Sequence, residues 1–392
     1  MVIAECRGVK RRVPRLVGWW AVLALSLLAG AYRAAGQNRA PAEAPRYRII
    51  GYVSGRTEIH RVGAEKLTHI NYAFARVSDG GEIVLRNQNS PAHLAQLQAL
   101  KAKNPNLKVI VSVGGWGADN FSDAALTDAS REKFAGSVVD LIKKYALDGI
   151  DLDWEYPGQP GPGIKYRPED KQNFTLLLKA VRQRLDALSS ERGRTGDGRY
   201  TLSIASADRE YFAHTEMDQL HVYLDWINVM TYDFFGSLAK TTGHHTGLYR
   251  APGSGESARS TEGSVKQHLN AGIPPEKLVV GVAFYGRGWA GVNPEHGGIG
   301  QPYERYTEEY PYSRLARDYI DKSGFQRRWD DAAKAPYLWN PESRTFISYD
   351  DPASLKEKAD FVKAHRLGGM MYWEHSHDPE EALLNTIFKH LR

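Results

Sequence analysis

Cysteine is almost absent from this chain of 392 residues, in which Cys6 is the only one. A fold held together by disulfides is therefore excluded. Low-complexity tracts and short-period repeats are also missing, and no glycine-rich dinucleotide fingerprint follows the first strand-like segment. The chain is 42% hydrophobic and 25% charged, which is ordinary globular composition with ample material for a core.

A long uncharged run, LVGWWAVLALSLLAGAY, occupies residues 16–32 near the N-terminus. Basic residues precede it and small residues follow it (AYRAAGQ), as in a secretory signal peptide. We predict a signal peptide over residues 1–36, cleaved after Ala31 or Gly36, and a polar linker over 37–46. The run is also about long enough, at the lower bound of roughly 17 residues, to remain as a membrane anchor, but the small residues favour cleavage.

Export has two consequences for the remaining chain. Cys6 lies in the predicted signal peptide, so the exported protein would contain no thiol. The expected location is extracellular or periplasmic, with no stable membrane association once the signal is removed.

The formal net charge of +5 also depends on the N-terminal segment. Six of the 51 basic residues and one of the 46 acidic residues lie in 1–36, which leaves 45 of each sign. The basic excess belongs to the export segment and gives no argument for a nucleic-acid partner.

Short apolar, β-branched runs recur along the rest of the chain. There are eight of them, at residues 47–53, 67–74, 107–115, 147–155, 200–207, 226–234, 278–286 and 367–374. Amphipathic helix-like stretches lie between most of them, at 130–146, 168–191, 260–272 and 354–366. This alternation predicts an α/β fold with a parallel sheet, either closed into a (β/α)₈ TIM barrel or open and doubly wound. The count of eight and the missing dinucleotide fingerprint favour the barrel.

The alternation is interrupted between about residues 287 and 344, where aromatic and charged sequence contains no clean strand–helix unit. A stretch this long is more typical of an inserted domain than of a bare loop. We predict a barrel over 47–392 with 287–344 as a small α+β insertion between strand 7 and helix 7.

The segment DGIDLDWEYPG places acids in an otherwise apolar strand. Because side chains alternate along a strand, Asp151, Asp153 and Glu155 share one face, which in a barrel points inward. Glu155 stands highest, at the carboxyl end where barrel enzymes keep their chemistry. Asp148 has the opposite phase and is expected to be structural.

The alternative is a structural ladder of acids held by buried cations. No Lys or Arg lies on the inward phase of the neighbouring strand segments, where Ser112, Met230 and Tyr232 are found instead. Stacked, unpaired carboxylates share protons, which raises the pKa of at least one. A carboxyl of raised pKa at the mouth of a site is suited to general acid catalysis.

The acidic segment resembles the DxxDxDxE signature of family 18 glycoside hydrolases, the chitinases and their relatives. SVGGW (112–116), MTYDF (230–234), FYGRGW (284–289) and GGMMYWE (368–374) are similar to further motifs of that family, in the same order. The resemblance covers the chain from about residue 47 to its end. It implies a chitinase that acts on chitin or N-acetylglucosamine oligosaccharides as a monomer, without cofactor or metal.

The resemblance also implies catalytic roles. Glu155 would be the general acid, and the 2-acetamido group of the substrate would replace the second carboxylate as nucleophile. Asp153 would orient that group, while Asp151 would share a proton with Asp153 and hydrogen-bond Ser112. Tyr232 would donate its hydroxyl to the acetamido oxygen.

The expected substrate-binding residues surround these acids. Trp373 would be the platform under the sugar, and the others are Tyr52, Phe74, Trp116, Tyr156, Met230, Asp233, Tyr285 and Arg287. Two histidine pairs, His244 with His245 and His375 with His377, are expected at the rim of the cleft rather than at a metal.

Three functions remain open. The leading one is a secreted chitinase with retaining, substrate-assisted catalysis. The second is a related endo-β-N-acetylglucosaminidase or peptidoglycan hydrolase, against which the predicted insertion argues. The third is an inactive chitin-binding lectin, which the presence of Asp151, Asp153 and Glu155 opposes.

Overall fold

A computed structural model describes residues 47–251 and 258–392. The predicted signal peptide (1–36) and linker (37–46) lie outside these residues. Across the two described ranges, no helix combines the length and apolar character that crossing a bilayer requires.

The strands of the first sheet are given first, and strands β9 to β13 belong to a second sheet that is described below. The first sheet comprises β1 (Arg48–Ser54), β2 (His69–Val77), β3 (Ile83–Val84), β4 (Lys108–Gly114), β5 (Gly149–Asp153), β6 (Thr201–Ser206), β7 (Trp226–Val229), β8 (Leu278–Ala283) and β14 (Gly369–Trp373). All except β3 run parallel in the order β1-β2-β4-β5-β6-β7-β8-β14. Because β1 pairs with both β2 and β14, the sheet is closed. The predicted (β/α)₈ barrel is confirmed, and the open sheet is excluded.

Helices surround the barrel. They are α1 (Ser90–Ala99), α2 (Phe121–Ala125), α3 (Asp128–Tyr145), α4 (Asp170–Glu191), α5 (Glu210–Ala213), α6 (Met217–Leu220), α7 (Thr261–Asn270), α8 (Tyr312–Asp318), α9 (Pro352–Ala364) and α10 (Ala382–Leu391). The apolar stripe on α4 that the sequence predicted is fully buried. Burying each of these side chains stabilises the folded protein by about 1.5–3 kcal/mol compared with leaving it exposed. Tertiary packing therefore holds these helices in place.

A second sheet lies between β8 and α9 in the chain. Its strands are β9 (Tyr285–Ala290), β10 (Arg305–Pro311), β11 (Gln326–Asp330), β12 (Ala335–Asn340) and β13 (Thr345–Ser348), antiparallel in the order β10-β9-β13-β12-β11. This sheet has its own apolar cluster, built on Trp289, Trp339 and Phe346. The buried residues of α8, Tyr312 and Leu315, belong instead to the larger core. Residues 287–344, expected as an insertion, fall within this sheet, although β9 begins two residues earlier and β13 ends at Ser348.

Apolar side chains also fill the barrel itself. Ile50, Ile110, Trp226, Val279 and Met371 form a buried cluster inside it, separate from the larger core between strands and helices. The barrel is therefore a packed core and not a pore, and its polar side chains concentrate near the carboxyl ends of the strands.

Candidate active site

Asp151 lies at the bottom of a ladder of acids on β5 and is fully buried. Its carboxylate accepts hydrogen bonds from Tyr52 (2.8 Å), Ser112 (2.7 Å) and Ser203 (2.6 Å), and from the amide of Asn228 (3.2 Å). Burial raises its pKa, and these donors oppose that rise. The bond from Ser112 agrees with the expectation from the sequence.

Asp153 stands one step higher on the same face and is 5% exposed. Its pKa is raised well above the ordinary value, first by burial and then by the charges of Glu155 and Asp151. Its Oδ1 atom is buried and has no hydrogen-bond partner among the described residues. Asp153 can therefore share a proton with its neighbours or accept a hydrogen bond from a bound molecule.

Glu155 follows the carboxyl end of β5 and is partly exposed at the mouth of the barrel. Burial raises its pKa to about 7. The hydrogen bond from the Tyr156 hydroxyl lowers the pKa, and the negative charge of Asp233 raises it further. A carboxyl that keeps its proton near neutral pH can act as a general acid.

Arg76 on β2 is a cation near these acids that the sequence reasoning missed. Its charge lowers the pKa values of both Asp153 and Glu155. Its guanidinium donates to the Gly114 carbonyl and lies 5.6 Å from the centre of the Phe74 ring. The strand segment recognised in the sequence ended at Phe74, and two more residues with the same alternation would have reached Arg76.

The glycine that ends β4 lets the backbone approach the acids closely. Gly114 has φ +125°, and a Cβ there would lie 2.0 Å from the carbonyl oxygen of Asp153. A side chain at this position would push β4 away from β5. The SVGGW motif therefore sets the spacing of the two strands at the site.

Tyr232 and Met230 follow β7, which is separated from β5 only by β6 in the barrel. Met230 packs against the inner apolar cluster. The Tyr232 hydroxyl lies 3.9 Å from the Met371 sulfur, and its pKa is raised well above the ordinary value by burial and then by Asp153 and Glu155. Tyr232 therefore keeps its proton and can donate a hydrogen bond.

Asp233 is held as a carboxylate by several donors. The Tyr285 hydroxyl donates to Oδ1 (2.8 Å), and Arg287 donates through Nε to Oδ1 (2.9 Å) and through Nη2 to Oδ2 (2.8 Å). Burial would raise its pKa, but His245 and Arg287 together hold that pKa well below its usual range. Asp233 is thus a fixed negative charge beside Glu155.

Aromatic side chains form the walls of the mouth. Trp373, at the end of β14, stacks on Phe74 with ring centres 5.4 Å apart and also contacts Tyr52 at 5.7 Å. Trp116 is 63% exposed and lies 6.1 Å from Tyr156 at the rim. Exposed or half-buried ring faces of this kind can support the apolar face of a sugar.

The histidines are not at the rim, so that expectation was wrong. His244, His245, His375 and His377 are all buried. Each has a polar neighbour: Asp330 for His244 (3.0 Å), Asp233 for His245 (3.6 Å), Tyr372 for His375 (2.9 Å) and Glu374 for His377 (3.4 Å). Buried polar side chains usually lie next to polar partners, as these four do. Among the described residues, no group of three or more metal-ligating side chains converges.

The expected catalytic residues thus converge in space, with Trp116 and Tyr156 at the rim and the other aromatic residues deeper. Asn228, Ser203 and Arg76 belong to the same site and were missed, and His245 belongs to it as a buried residue instead of a rim residue. An eight-stranded barrel with a carboxyl of raised pKa and aromatic walls at its carboxyl end is an arrangement typical of a glycoside hydrolase.

Comparison with known proteins gives the particular family. The model of glycosyl hydrolases family 18 matches residues 48–378, and the chain belongs to this family. Chitinase A1 of Niallia circulans is 38% identical over 87% of this chain, which spans 58% of that relative's length.

Solved structures agree with this placement. A family 18 N-acetylglucosaminidase from Paenibacillus barengoltzii is 42% identical, with a TM-score of 0.82, covering 88% of this chain and 99% of its own. A Group IV chitinase of Ostrinia furnacalis in complex with allosamidin is 27% identical, with a TM-score of 0.79, covering 88% of this chain and 98% of its own.

Proposed function

We propose that this protein is a secreted, monomeric chitinase, which hydrolyses the β-1,4 linkages of N-acetylglucosamine polymers with retention of configuration and the acetamido group of the substrate as nucleophile. The observation that carries this proposal is the pairing of Glu155, whose pKa is about 7, with the unpartnered Oδ1 of Asp153 below it. The names of the relatives support chitin as substrate.

An ordinary retaining glycosidase needs a second carboxylate that is free to attack the anomeric carbon. Asp233 is ionised and close to Glu155, but hydrogen bonds from Tyr285 and Arg287 occupy both of its oxygens. Asp151 lies at the bottom of the ladder with donors on both oxygens. Asp153 has an Oδ1 that is unpartnered within the described ranges, but its pKa is raised well above the ordinary value, which disfavours the charged form that would attack. The site therefore favours a nucleophile that arrives with the substrate.

The reaction then has two steps. Glu155 gives its proton to the glycosidic oxygen while the acetamido carbonyl oxygen attacks the anomeric carbon, and a cyclic oxazolinium ion forms. Asp153 accepts a hydrogen bond from the acetamido N–H, and Tyr232 donates its hydroxyl to the acetamido oxygen, which positions the group for attack. Glu155, now a carboxylate, removes a proton from water, which opens the ring with retained configuration.

The surrounding residues would bind the sugar chain. Trp373 supports the ring that is attacked, and Met230, Tyr52 and Phe74 shape the walls around its acetamido group. Trp116, Tyr156, Tyr285 and the Asp233–Arg287 pair contact neighbouring units.

Product analysis tests the proposed activity. N-acetylglucosamine oligomers of increasing length are incubated with the enzyme, and the products are sized by chromatography. A chitinase yields short oligomers, whereas no cleavage of any length would contradict the proposal. The Glu155→Gln variant is the control for activity that comes from this site.

An N-acetylglucosaminidase is the second candidate, because that activity is named for the Paenibacillus barengoltzii enzyme, which is 42% identical along 99% of its chain. In the same experiment it would release single N-acetylglucosamine units from the start of every reaction. Dimers and trimers appearing first would exclude it.

Secretion rests on the predicted signal peptide and has its own test. Exported protein is expected to begin near residue 32 or 37 and to contain no thiol. N-terminal sequencing and thiol titration of protein from the culture fluid or periplasm measure both. Protein that stays in the membrane with residues 1–36 intact would contradict cleavage.

A further inference from the structure

A cavity of about 260 Å³ lies against Tyr156, the residue that follows Glu155. Tyr156, Gln159, Asp208, Arg209, Glu210 and Arg259 are among the residues that line it. Tyr156 connects the cavity to the acid because its hydroxyl hydrogen-bonds Glu155. Sites for drug-sized ligands begin at roughly 300 Å³, so the cavity suits part of one sugar unit rather than several.

The cavity lies on the side of the acid where the leaving part of the substrate must go. Glu155 follows β5, and Trp373 ends β14, four strands away in the ring of eight. A sugar resting on Trp373 presents its glycosidic oxygen to Glu155, so the next unit continues over the ends of β5 and β6. The residues of the cavity follow these two strands, apart from Arg259.

The two acids of the cavity differ in how they are held. Asp208 accepts from the Ser264 hydroxyl at 2.7 Å and lies 2.5 Å from the Arg259 guanidinium. Glu210 lies 3.1 Å from His214, and its side chain is 73% exposed. Asp208 is therefore held by its own neighbours, whereas Glu210 is mostly in contact with solvent.

Two of the residues that line the cavity have hydrogen-bond donors without a partner in the described part of the chain. Gln159 Nε2 and Arg259 Nε are buried and have no hydrogen-bond partner among the described residues. Arg259 is fixed in place over the Phe234 ring, 4.8 Å from its centre. The structure gives the Arg209 guanidinium no ion pair within the described ranges. Unpaired buried donors favour a ligand that supplies acceptor oxygens.

We propose that this cavity binds the acetamido group of the sugar on the leaving side of the scissile bond, with Gln159 and Arg259 donating to its carbonyl oxygen. This inference rests on the proposed function. A deacetylated unit would lack that oxygen and would bring an ammonium group toward Arg209 and Arg259, where like charges repel. The enzyme would thus select acetylated units on both sides of the bond.

Partially deacetylated chitin provides the test, because each cut leaves a record at both new ends. The unit that was attacked becomes a reducing end, and the unit on the leaving side becomes a non-reducing end. Mass-spectrometric sequencing of the products from wild type, Gln159→Leu, Arg209→Gln and the control Arg184→Gln gives the acetylated fraction at each end. Arg184 is an exposed arginine on α4, outside the cavity.

For wild type and Arg184→Gln we expect acetylated units to be preferred at new non-reducing ends by about tenfold, which one or two net hydrogen bonds supply. In Gln159→Leu and Arg209→Gln the preference should fall toward the composition of the polymer. No preference in wild type, or an unchanged preference in both variants, would overturn the inference.

The two proposals fail in different ways. If new reducing ends include deacetylated units, the proposed mechanism fails whatever is found at the other end. If reducing ends are all acetylated while non-reducing ends follow the composition of the polymer, only the cavity inference fails. A Gln159-dependent or Arg209-dependent preference for muramic-acid units in peptidoglycan over N-acetylglucosamine would assign the cavity to a carboxylate and also overturn it.

Discussion

Single residues at the mouth of the barrel determine where protons are held. Burial keeps the proton on Glu155 up to a pH of about 7, while His245 and Arg287 keep Asp233 ionised. Two carboxyls in one site are thereby given opposite protonation states by their surroundings. The proposed acid catalysis requires the protonated state of Glu155.

Glu155→Gln should retain the fold and sugar binding but lose most turnover. The amide is isosteric with the acid and cannot donate a proton at useful pH. General acid catalysis is worth about 10²–10⁴-fold, so kcat should fall by that range. Steady-state kinetics on a soluble oligomer measures the loss, and retention of more than roughly a tenth of wild-type kcat would remove Glu155 from this role.

Asp233→Asn should move the alkaline limb of the pH–activity profile to lower pH. The negative charge of Asp233 raises the pKa of Glu155, so its removal lets Glu155 lose its proton earlier. Activity needs the protonated acid and is therefore lost at a lower pH than in wild type. The pH dependence of kcat/KM shows this, and an alkaline limb that stays in place would mean that another group titrates there.

Elements behind the site are joined by a buried ion pair. Lys358 on α9 is fully buried and donates to both oxygens of Asp350 (2.8 and 2.7 Å) and to Thr246 (2.7 Å). Asp350 also accepts from the backbone N–H of Ala283 at the end of β8. The pair thus connects the end of β8 with the helix that follows the second sheet.

Lys358→Met should destabilise the protein by about 3–5 kcal/mol, because it leaves the Asp350 carboxylate buried without its cation. The matched control is Lys356→Met on the same helix, since Lys356 is half-exposed and its pair with Asp360 contributes about 0–1 kcal/mol. Urea unfolding followed by circular dichroism gives both values. Equal effects of the two substitutions would show that burial of the pair does not matter.

The barrel elements could be predicted from the sequence because each shows the period of its own structure. Asp151 and Asp153 alternate with apolar residues, and α4 repeats its apolar residues at helical spacing. Lys358 could not be predicted in the same way, because a lysine among charged neighbours on an amphipathic helix is normally exposed. Its burial depends on Asp350 and Thr246, contacts that only the closed barrel creates.

The candidate site also contains residues that could be predicted from the sequence and residues that could not. Glu155 and Trp373 stand at strand ends, where local pattern and family resemblance identify them. Asn228 and Ser203 were missed because they are polar residues inside otherwise apolar strands, and their role depends on which strands become neighbours. His245 was placed at the rim because loop position was taken as a sign of exposure, whereas Asp233 and the Tyr285 carbonyl hold it inside.

The raised pKa of Glu155 makes its own contribution to the stability of the molecule depend on pH. The folded-state pKa of Glu155 is raised from 4.5 to about 7, so unfolding releases a proton between these values. Its contribution to stability is fully present below the unfolded pKa and is lost as pH rises through about 7. The Tm of Glu155→Gln should therefore match wild type near pH 4 and exceed it increasingly toward pH 8.

Thermal unfolding of both proteins across this pH range tests that expectation. A difference in Tm that stays constant with pH would show that Glu155 does not titrate with a raised pKa in the folded protein.

The central claim is that the acetamido group of the substrate is the nucleophile. The most direct measurement is kcat/KM for substrates whose attacked sugar carries an acetyl, monofluoroacetyl, difluoroacetyl or trifluoroacetyl group. Fluorine withdraws electrons and weakens the attacking carbonyl oxygen, so we expect the rate constant to fall with every added fluorine. A rate constant independent of fluorination would contradict the claim and return the role of nucleophile to a carboxylate of the protein.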